Sequence, residues 1–378
     1  MHLFSNYLYV HGGNSIVKDT LSALSKLPNH RLADKGEFSH RAFKNNKIKD
    51  LPQAESLSNL INAETTIQRK HATSNFQGKI SRQLNIWNDQ ILTILAFCEA
   101  DLDFGQDSGG DTQIDEDIIE ERVTPLILEF LNEVEDVVKK SEVIGRRLNS
   151  GVKICITGEP NVGKSSLMNI LARENVSIVT DIAGTTRDIL QIPLEIGGFP
   201  VVLYDTAGIR DETEDKIEKI GIERTKSLVD EADIVIRMFS AENYESHKKI
   251  DVSVDDLVVM NKSESLEKDL EIDCVKISCL DKIGLDDLMR ELVKKISACF
   301  EDVIDESAEL VLTEQRQIGH LKETLRLIEL FFEYKDVDRT IATEQIRLIS
   351  SELGYITGRT YSIDSVLETI FSNFCVGK

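Results

Sequence analysis

The sequence predicts an α/β domain with a doubly wound parallel sheet, inserted in an all-α helical domain. Between residues 149 and 298, short apolar runs typical of strands alternate with helical stretches. On both sides, at 46–148 and 299–378, the apolar residues follow the 3.6-residue spacing of long helices. Residues 1–45 have mixed strand and helix character, which predicts a small partial α+β N-terminal domain.

Helical periodicity dominates the chain on both sides of the insert. The Gly12-Gly13 turn precedes a predicted helix at Ser15–Leu27. Thr124-Pro125 predicts the N-cap and the first residue of a later helix. Two apolar stripes predict the long helices between these points: Leu51, Ala54, Leu57, Leu60 and Ile61, then Leu84, Trp87, Ile91 and Leu95. The last predicted helices are Glu314–Tyr334, Thr343–Leu353 and Ser362–Phe374.

Within the insert, each apolar run is short and leads into a loop or a helix. Val152–Thr157 is the first such run, and a glycine-containing loop and the helix Ser165–Leu171 follow it directly. This alternation predicts parallel strands with helices on both faces of the sheet. The other predicted strands are Val201–Tyr204, Ile234–Phe239, Leu257–Met260 and Val275–Ser278, and the other helices are Ile217–Glu231 and Leu285–Ile296.

Composition excludes several classes of protein. The 378 residues are 41% hydrophobic and 29% charged, as in ordinary globular proteins, and no apolar run approaches a membrane span. A net charge of −22 argues against binding nucleic acid by bulk electrostatics, although a local basic patch could hold RNA. The six cysteines show no CxxC spacing and predict a reducing compartment without a zinc site.

The segment from Gly158 to Ser165 fits the phosphate-binding pattern G-x-x-x-x-G-K-[ST], between a predicted strand and a predicted helix. Gly158 and Gly163 allow backbone N–H groups to face the phosphates, Lys164 reaches the β- and γ-phosphates, and Ser165 ligates Mg²⁺. The pattern predicts the nucleotide site of a P-loop NTPase. Its expected contacts are Asn161, Val162, Gly163, Lys164, Ser165 and Ser166.

Two further motifs predict the nucleotide-sensing switches. Asp205-Thr206-Ala207-Gly208 follows a predicted strand at DxxG spacing, so that Asp205 would hold Mg²⁺ through water and the Gly208 N–H would sense the γ-phosphate. Gly184-Thr185-Thr186-Arg187-Asp188 lies between the P-loop helix and this motif, where the first switch belongs, and Thr186 is the expected second Mg²⁺ ligand.

Recognition of the base is predicted at Asn261-Lys262-Ser263-Glu264. Glu264 occupies the place of the aspartate in the G-protein pattern NKxD, which accepts hydrogen bonds from guanine. Its carboxylate is one methylene longer, so bidentate bonding needs backbone adjustment or is weakened. Ser278, Cys279 and Leu280 occupy the place of the loop that contacts guanine O6, as a weak match. The sequence favours GTP over ATP.

Hydrolysis must proceed without the glutamine that many GTPases place after DxxG, because this chain has Ile209 there. Either the domain hydrolyses GTP slowly, or another residue and another charge take over. Asn161 offers a neutral oxygen that could hold a monovalent cation near the phosphates. A turn residue that satisfies its own backbone explains Asn161 equally well.

Several segments together resemble the MnmE (TrmE) family of tRNA-modification GTPases: GEPNVGKSSL, TDIAGTTRD, DTAGIRD, IEKIGIER, the terminal FSNFCVGK, and GEFSHRAFKNNKIKDLPQAESLSNLINAET. The resemblance implies a K⁺-activated GTPase that acts in modification of the tRNA wobble uridine. It also implies a GidA-type FAD protein as partner, a homodimer, and a folate-binding and dimerisation role for residues 1–45.

The resemblance also implies roles for individual residues. By position, Ser165 and Thr186 match the family's Mg²⁺ ligands, and Glu218 matches the glutamate that orients the attacking water. Cys375 matches the cysteine that the family presents near the modification site. The matches to K⁺ ligands are Asn161, Thr180, Ile182 and Thr185, and the matches to formyl-tetrahydrofolate contacts are Lys47 and Lys378. The same first-switch segment implies nucleotide contacts at Thr180, Asp181, Ile182, Ala183, Gly184 and Thr185.

The sequence departs from the family at its start. It enters the N-terminal domain near Val10-His11-Gly12-Gly13, and Tyr7 stands where a glutamate is expected. About half of the folate contacts are therefore absent, which puts folate binding and dimerisation through this domain in question. INAETTIQRK and GGFPVVLYDTAG resemble the mitochondrial branch and predict the mitochondrial matrix, with the bacterial cytoplasm as the alternative.

Two other functions remain open at this stage. One is a GTP-dependent assembly switch with no role in modification. The other is a degenerate paralogue that binds nucleotide without catalysis, for which Glu264 and Tyr7 are the motivation.

Overall fold

The computed structural model describes residues 8–106, 118–174, 191–205, 227–243, 256–265, 274–304 and 310–358. Structural statements below concern these residues. None of the helices within them combines the length and the apolar character that a bilayer crossing requires.

The first part of the chain is helical. Local sequence signals fix two of the starts: the Asp50 carboxylate accepts the Gln53 N–H, and Thr65 and Gln68 form a reciprocal capping box. The helices are α1 (Asn14–Leu24), α2 (Glu37–Lys44), α3 (Leu51–Asn62), α4 (Thr66–Phe76) and α5 (Lys79–Gln106). Between residues 8 and 45 both named elements are helices, and Lys35 lies in an isolated β-bridge, so the described part of this range combines helices with β pairing.

A second helical run leads into the insert. It consists of a π-helical turn at Ile119–Val123, α6 (Thr124–Lys140), another such turn at Ser141–Gly145, and α7 (Arg146–Ser150). The prediction that Thr124 caps a helix start is wrong, because the backbone is already helical before it. The Thr124 hydroxyl instead donates to the Glu120 carboxylate, at 3.1 Å.

The insert contains a six-stranded sheet in the order β2-β3-β1-β4-β5-β6. All neighbouring pairs are parallel except β2 and β3. The strands are β1 (Val152–Gly158), β2 (Gln191–Ile196), β3 (Phe199–Asp205), β4 (Ile234–Ser240), β5 (Leu257–Asn261) and β6 (Val275–Lys276), and the helices between and after them include α8 (Lys164–Glu174) and α9 (Leu285–Ala298). The α/β class predicted for the insert is confirmed.

The antiparallel edge strand β2 was not predicted. A two-glycine turn joins it to β3, and both Gly197 and Gly198 have positive φ angles, of 61° and 90°. This is the sequence signal of a two-residue hairpin between apolar runs. Pro193 is compatible with this position because one side of an edge strand makes no hydrogen bonds within the sheet, so the missing N–H of proline costs none.

The chain then returns to the helical domain through α10 (Glu301–Ile304), α11 (Gln315–Tyr334) and α12 (Arg339–Thr357). One apolar core joins residues from both sides of the insert. Trp87 of α5 and Phe130 of α6 belong to it together with Phe331 of α11 and Ile346 of α12, and all four are essentially inaccessible to solvent. The helices before and after the insert therefore share one core, as expected of a single helical domain that an α/β unit interrupts.

Polar contacts fix the joint between the two units. The Asn149 side chain donates to the Thr313 carbonyl at 2.9 Å, which ties the outgoing chain to the returning chain. Asp233, at the start of β4, accepts the Lys153 N–H of β1 at 2.9 Å and the Arg147 Nε of α7 at 3.0 Å. The Asp233 side chain is only 5% exposed, so these partners replace water around its carboxylate.

We expect Asp233→Ala to lower the free energy of unfolding by about 2 kcal/mol, because it removes a buried carboxylate and leaves the Lys153 N–H without its partner. Urea denaturation measures the change. Asp287→Ala is the matched control, since the Asp287 side chain is 65% exposed, and it should change stability by less than about 0.5 kcal/mol. Equal stability of the two variants would contradict the role given to Asp233.

Candidate nucleotide site

The loop between β1 and α8 is shaped by two glycines. Gly158 has a φ of 148°, and a Cβ added there would lie 2.1 Å from the Met238 carbonyl oxygen of β4. Gly163 has a φ of 100°, and its added Cβ would lie 2.1 Å from Nδ2 of Asn261. Both positions therefore require glycine, for backbone conformation and for space. The loop forms a cradle at the carboxyl end of β1, directly before a helix N-terminus.

Lys164, the first residue of α8, lies within this cradle. Its side chain is largely buried, and Nζ donates to the Gly158 carbonyl at 2.9 Å and to the Glu159 carbonyl at 2.8 Å. The ammonium group is thus held across the loop, where it adds positive charge to the N-terminal end of the helix dipole. Ser165 and Ser166 follow in the first turn of α8, and both are exposed to solvent.

Two consecutive residues of the loop have opposite environments: Asn161 is exposed and Val162 is buried. Val162 is 2% exposed and packs in the apolar core of the insert. Asn161 is exposed and has a φ of 63°, a left-handed conformation that asparagine tolerates better than most residues. The conformation supports the turn interpretation of Asn161, and the exposed side chain is also accessible to a cation.

Asn261, the last residue of β5, connects three loops. Its Nδ2 donates to the Val162 carbonyl of the P-loop at 2.8 Å. Its Oδ1 accepts the Cys279 N–H from the loop after β6 at 3.0 Å. Only 3% of Asn261 is exposed; the bond to the Val162 carbonyl is buried, and the bond from the Cys279 N–H is partly buried. The predicted base-recognition segment is therefore bonded directly to the predicted phosphate loop.

Glu264 and Cys279 face the same region from two loops. Burial and the negative charge of Glu264 raise the pKa of the Cys279 thiol to about 11, so the thiol is neutral at physiological pH. The Ser263 N–H donates to the Ile277 carbonyl at 3.1 Å and joins the segments that carry them. Glu264 is exposed and could meet the polar edge of a base.

The loop after β6 is a tight turn. Ser278 is fully buried, and its backbone pairs with Ile283 in both directions, at 3.0 and 3.2 Å. Its Oγ accepts the Asp281 N–H at 3.1 Å. Leu280 projects from the tip with 83% of its surface exposed. Of the three residues predicted here, only Cys279 is bonded to Asn261 in the structure.

Glu242 was missed by sequence reasoning. Its carboxylate pairs with Lys262 Nζ at 2.9 Å, and Lys262 has a left-handed backbone with a φ of 61°. Glu242 lies just beyond β4, beside the strand that ends in Asn261. No recognised motif includes this position, so the sequence carried no signal for the pair.

Of the other predicted residues, Asp205 lies near the cradle, Lys47 lies in a different part of the chain, and the rest are outside the described residues. Asp205 is the last residue of β3 and is in register with Ile156 of β1, so its backbone lies at the same end of the sheet as the cradle. Lys47 lies in the turn between α2 and α3, in the helical part of the chain. Outside the described residues are Thr180, Asp181, Ile182, Ala183, Gly184, Thr185, Thr186, Thr206, Ala207, Gly208, Glu218, Cys375 and Lys378.

Comparison with known proteins gives a consistent result. The family model described as the MnmE helical domain matches residues 51–375. A protein of Rickettsia canadensis named tRNA modification GTPase MnmE is 38% identical over 98% of this chain and 82% of its own length. The mitochondrial 5-taurinomethyluridine-[tRNA] synthase subunit GTPB3 of Danio rerio is 34% identical over 98% of this chain and 78% of its own length.

Solved structures similar to this chain include Era of Aquifex aeolicus bound to GDP and aluminium fluoride. It is 24% identical, with a TM-score of 0.30, over 47% of this chain and 67% of its own. The G domain of the FeoB iron transporter of T. maritima is 25% identical, with a TM-score of 0.28, over 39% of this chain and 98% of its own. At such TM-scores these likenesses carry no weight in the assignment.

Proposed function

The chain belongs to the MnmE family of tRNA modification GTPases, and from that membership and the geometry of the cradle we propose that it hydrolyses GTP in a tRNA-modification reaction. We assign hydrolysis to a G domain at 149–298. The helical domain comprises 46–148 and 299–378, and residues 1–45 are part of a further N-terminal domain.

The observation that carries this proposal is the pair of hydrogen bonds from Asn261. A phosphate loop alone would fit many nucleotides, whereas Asn261 bonds that loop to the segment that holds Glu264 and Cys279. One side chain thus sets the distance between phosphate recognition and base recognition. The arrangement fits a nucleotide whose base lies against the β5 and β6 loops, as a guanine would.

The residues around the nucleotide have separate tasks. Lys164, already inside the cradle, exchanges its bonds to loop carbonyls for bonds to the β- and γ-phosphates. Ser165 and Thr186 would hold Mg²⁺, with the Asp205 carboxylate in support. When bound, the ion would neutralise charge on the phosphates. The Gly208 N–H would contact the γ-phosphate, so that the loss of this group would free the second switch.

Hydrolysis in this chain needs substitutes for the usual glutamine, because Ile209 cannot orient water. We assign that task to Glu218. Asn161 and residues of the first switch would hold K⁺, which supplies compensating positive charge between the phosphates. The exposed position of Asn161 at the tip of the loop is compatible with this role. The first-switch ligands in this proposal are Thr180, Ile182 and Thr185.

For the modification step, we assign the substrate as a tRNA with a wobble uridine and the partner as a GidA-type FAD protein. Cys375 would act near the modified base, and Lys47 and Lys378 would contact a formyl-tetrahydrofolate donor. A homodimer would bring two G domains together.

We place the protein in the mitochondrial matrix, with the bacterial cytoplasm as the alternative. A mitochondrial relative and bacterial relatives are both similar to this chain.

The proposed mechanism predicts strong activation by potassium. GTP turnover in KCl should exceed turnover in NaCl by about tenfold or more, since K⁺ held by the proposed oxygen ligands would add positive charge where negative charge develops in the transition state. Asn161→Ala should lower turnover in KCl to the NaCl rate. Steady-state phosphate release at matched ionic strength measures both effects. Asn132→Ala, an exposed asparagine on α6, is the control and should keep the difference.

Equal rates in the two salts would reject the cation mechanism while leaving GTP hydrolysis itself intact. Mass spectrometry of tRNA wobble nucleosides after loss of the gene tests the other half of the proposal. Unchanged nucleosides would favour the alternative assembly role.

A further inference from the structure

One stretch of this acidic chain has the opposite charge. Residues 37–88 contain eight Lys or Arg and four Asp or Glu, whereas the whole chain carries a formal charge of −22. The four acidic residues are Glu37, Asp50, Glu55 and Glu64, and the Glu37 carboxylate is paired with Arg31 and Arg41. The stretch covers α2, α3, α4 and the first part of α5. A basic region in a chain that otherwise repels polyanions is a candidate for a specific anionic partner.

Most of the negative charge within this stretch is hidden. Asp50 and Glu55 are each 6% exposed. The Asp50 carboxylate caps α3 by accepting the Gln53 N–H at 3.0 Å. The Glu55 carboxylate accepts two bonds from Arg316, at 2.8 and 3.0 Å, and a third from Gln317. Glu64 is exposed, but it lies at the other end of α3, before α4. The exposed charge of the stretch is therefore more positive than its composition suggests.

Four of the basic residues lie at one place, the basic corner, defined by Lys44, Lys47, Lys49 and Arg82. Lys44 is in the last turn of α2, and the left-handed Asn46 at a φ of 55° turns the chain toward Lys47 and Lys49. Buried Ile48 fixes this turn by packing against α3. All four basic side chains belong to exposed residues.

Hydrogen bonds bring the start of α5 to the same corner. The Gln53 side chain accepts the Lys49 N–H at 2.7 Å and donates to the Phe76 carbonyl at 3.1 Å. Arg82 folds back onto the Gln77 carbonyl at 3.0 Å, one residue beyond Phe76. Gln53 thus connects the Lys49 backbone to the end of α4, and Arg82 is hydrogen-bonded to the next residue of the same turn. Among the described residues, none of the three corner lysines has a carboxylate partner.

The corner also lies beside the point where the chain leaves the helical domain. Gly358 ends α12 with a φ of 79°, and a Cβ there would lie 2.6 Å from Cγ of Leu51. Leu51 opens α3, two residues after Lys49. The segment that continues to Cys375, assigned above to the modification site, therefore starts next to the basic corner.

We propose that the basic corner holds the phosphate backbone of the tRNA substrate through Lys44, Lys49 and Arg82, while Lys47 keeps the role toward the folate donor assigned above. The proposal rests on the proposed function for the identity of the RNA. Lysines without carboxylate partners and an exposed guanidinium suit phosphate contacts, which position a nucleic acid without reading its sequence. Binding at this corner would retain the RNA close to the start of the Cys375 segment. Phosphate binding depends mainly on nearby charges, because salt screens charges that are farther away. The acidic remainder of the chain therefore does not prevent tRNA from binding at the corner.

The test compares two triple variants of the full-length protein. Lys44→Gln, Lys49→Gln and Arg82→Gln together remove three charges from the corner, and Lys47 is left in place because it was assigned to the folate donor. Arg290→Gln, Lys294→Gln and Arg326→Gln remove three exposed charges elsewhere, on α9 and α11. Each protein is titrated with an in vitro transcribed tRNA with uridine at the wobble position, over a series of NaCl concentrations. GTP turnover and thermal melting are measured on the same preparations.

The corner variant should bind the tRNA about tenfold or more weakly at about 0.1 M NaCl, and the slope of log affinity against log salt should fall by about 3, which is about 0.9 for each lost phosphate contact. The control variant should retain the affinity and the slope of the unchanged protein. Equal affinity and slope in the corner variant would overturn the proposal and would point to an acidic protein as the partner of this surface. If the triple variant does not fold, Lys49→Gln alone should lower the slope by about 1, and an unchanged slope would overturn the proposal equally.

GTP turnover and tRNA affinity, measured on the same preparations, test the proposed function and the tRNA surface separately. Corner variants should hydrolyse GTP at the unchanged rate, because none of the three residues belongs to the nucleotide site. A chain that shows no GTP turnover but a corner-dependent tRNA affinity would contradict the GTPase assignment and support the RNA surface.

Discussion

Lys164→Ala should lower GTP turnover by about 100-fold or more. The ammonium group lies inside the loop cradle, bonded to the Gly158 and Glu159 carbonyls, and no other cationic side chain of the described loop occupies that position. Its charge would be used most fully when negative charge develops between the phosphates, so the loss should fall mainly on kcat. Phosphate release under saturating GTP measures the effect.

Two comparisons make this result specific. Lys294→Ala removes a lysine from the exposed face of α9, where its side chain is 79% accessible, and should leave turnover unchanged. Thermal melting of Lys164→Ala should stay close to that of the unchanged protein, because the two released carbonyls belong to an exposed loop that water can reach. Turnover that survives Lys164→Ala would mean that a different site, or a contaminant, hydrolyses the nucleotide.

Asn261→Ala should weaken binding of GDP and GTP by about 30- to 150-fold. The substitution leaves the buried Val162 carbonyl and the partly buried Cys279 N–H without their partner, at a cost of about 2–3 kcal/mol. In the variant, the unpaired groups can reach water when the P-loop and the base loop separate. Nucleotide binding requires the two loops to be together, so the affinity falls. Titration with a fluorescent GDP analogue measures the affinity.

Asn261→Asp separates the two bonds. An aspartate can still accept the Cys279 N–H but cannot donate to the Val162 carbonyl, which it would repel. Its affinity for GDP should fall at least as far as that of the alanine variant. Asn132→Ala, at an exposed position of α6, supplies the unaffected reference. Full affinity in Asn261→Ala would show that the loops are held together by other contacts.

The sequence predicted the elements whose signals are local. Val152–Gly158 and Leu257–Asn261 were predicted within one residue, because buried parallel strands are short apolar runs with abrupt ends. The P-loop was predicted because glycine is required at specific points, and the structure gives the physical reason at Gly158 and Gly163. The start of α6 was misread because Pro125 is compatible both with a helix start and with a helix that continues from a π-helical turn.

Features that depend on tertiary contacts were beyond sequence reasoning. Asn261 was predicted as a base-loop residue, but its bonds join loops that are 99 and 18 residues away along the chain. The pair of Glu242 and Lys262 depends on the neighbouring positions of β4 and β5. The basic corner needs the fold of Gln53 and Gln77 to bring Arg82 next to Lys49. Charge counts alone could show only that the stretch is basic.

The most direct measurement is nucleotide retention by the purified chain in a buffer with magnesium and potassium, with GTP and ATP compared in the same equilibrium dialysis. The account predicts that GTP and GDP are retained in one-to-one stoichiometry, that ATP is not, and that Lys164→Ala and Asn261→Ala both lower retention of GTP. A chain that holds no guanine nucleotide under these conditions, or holds ATP equally well, would contradict it.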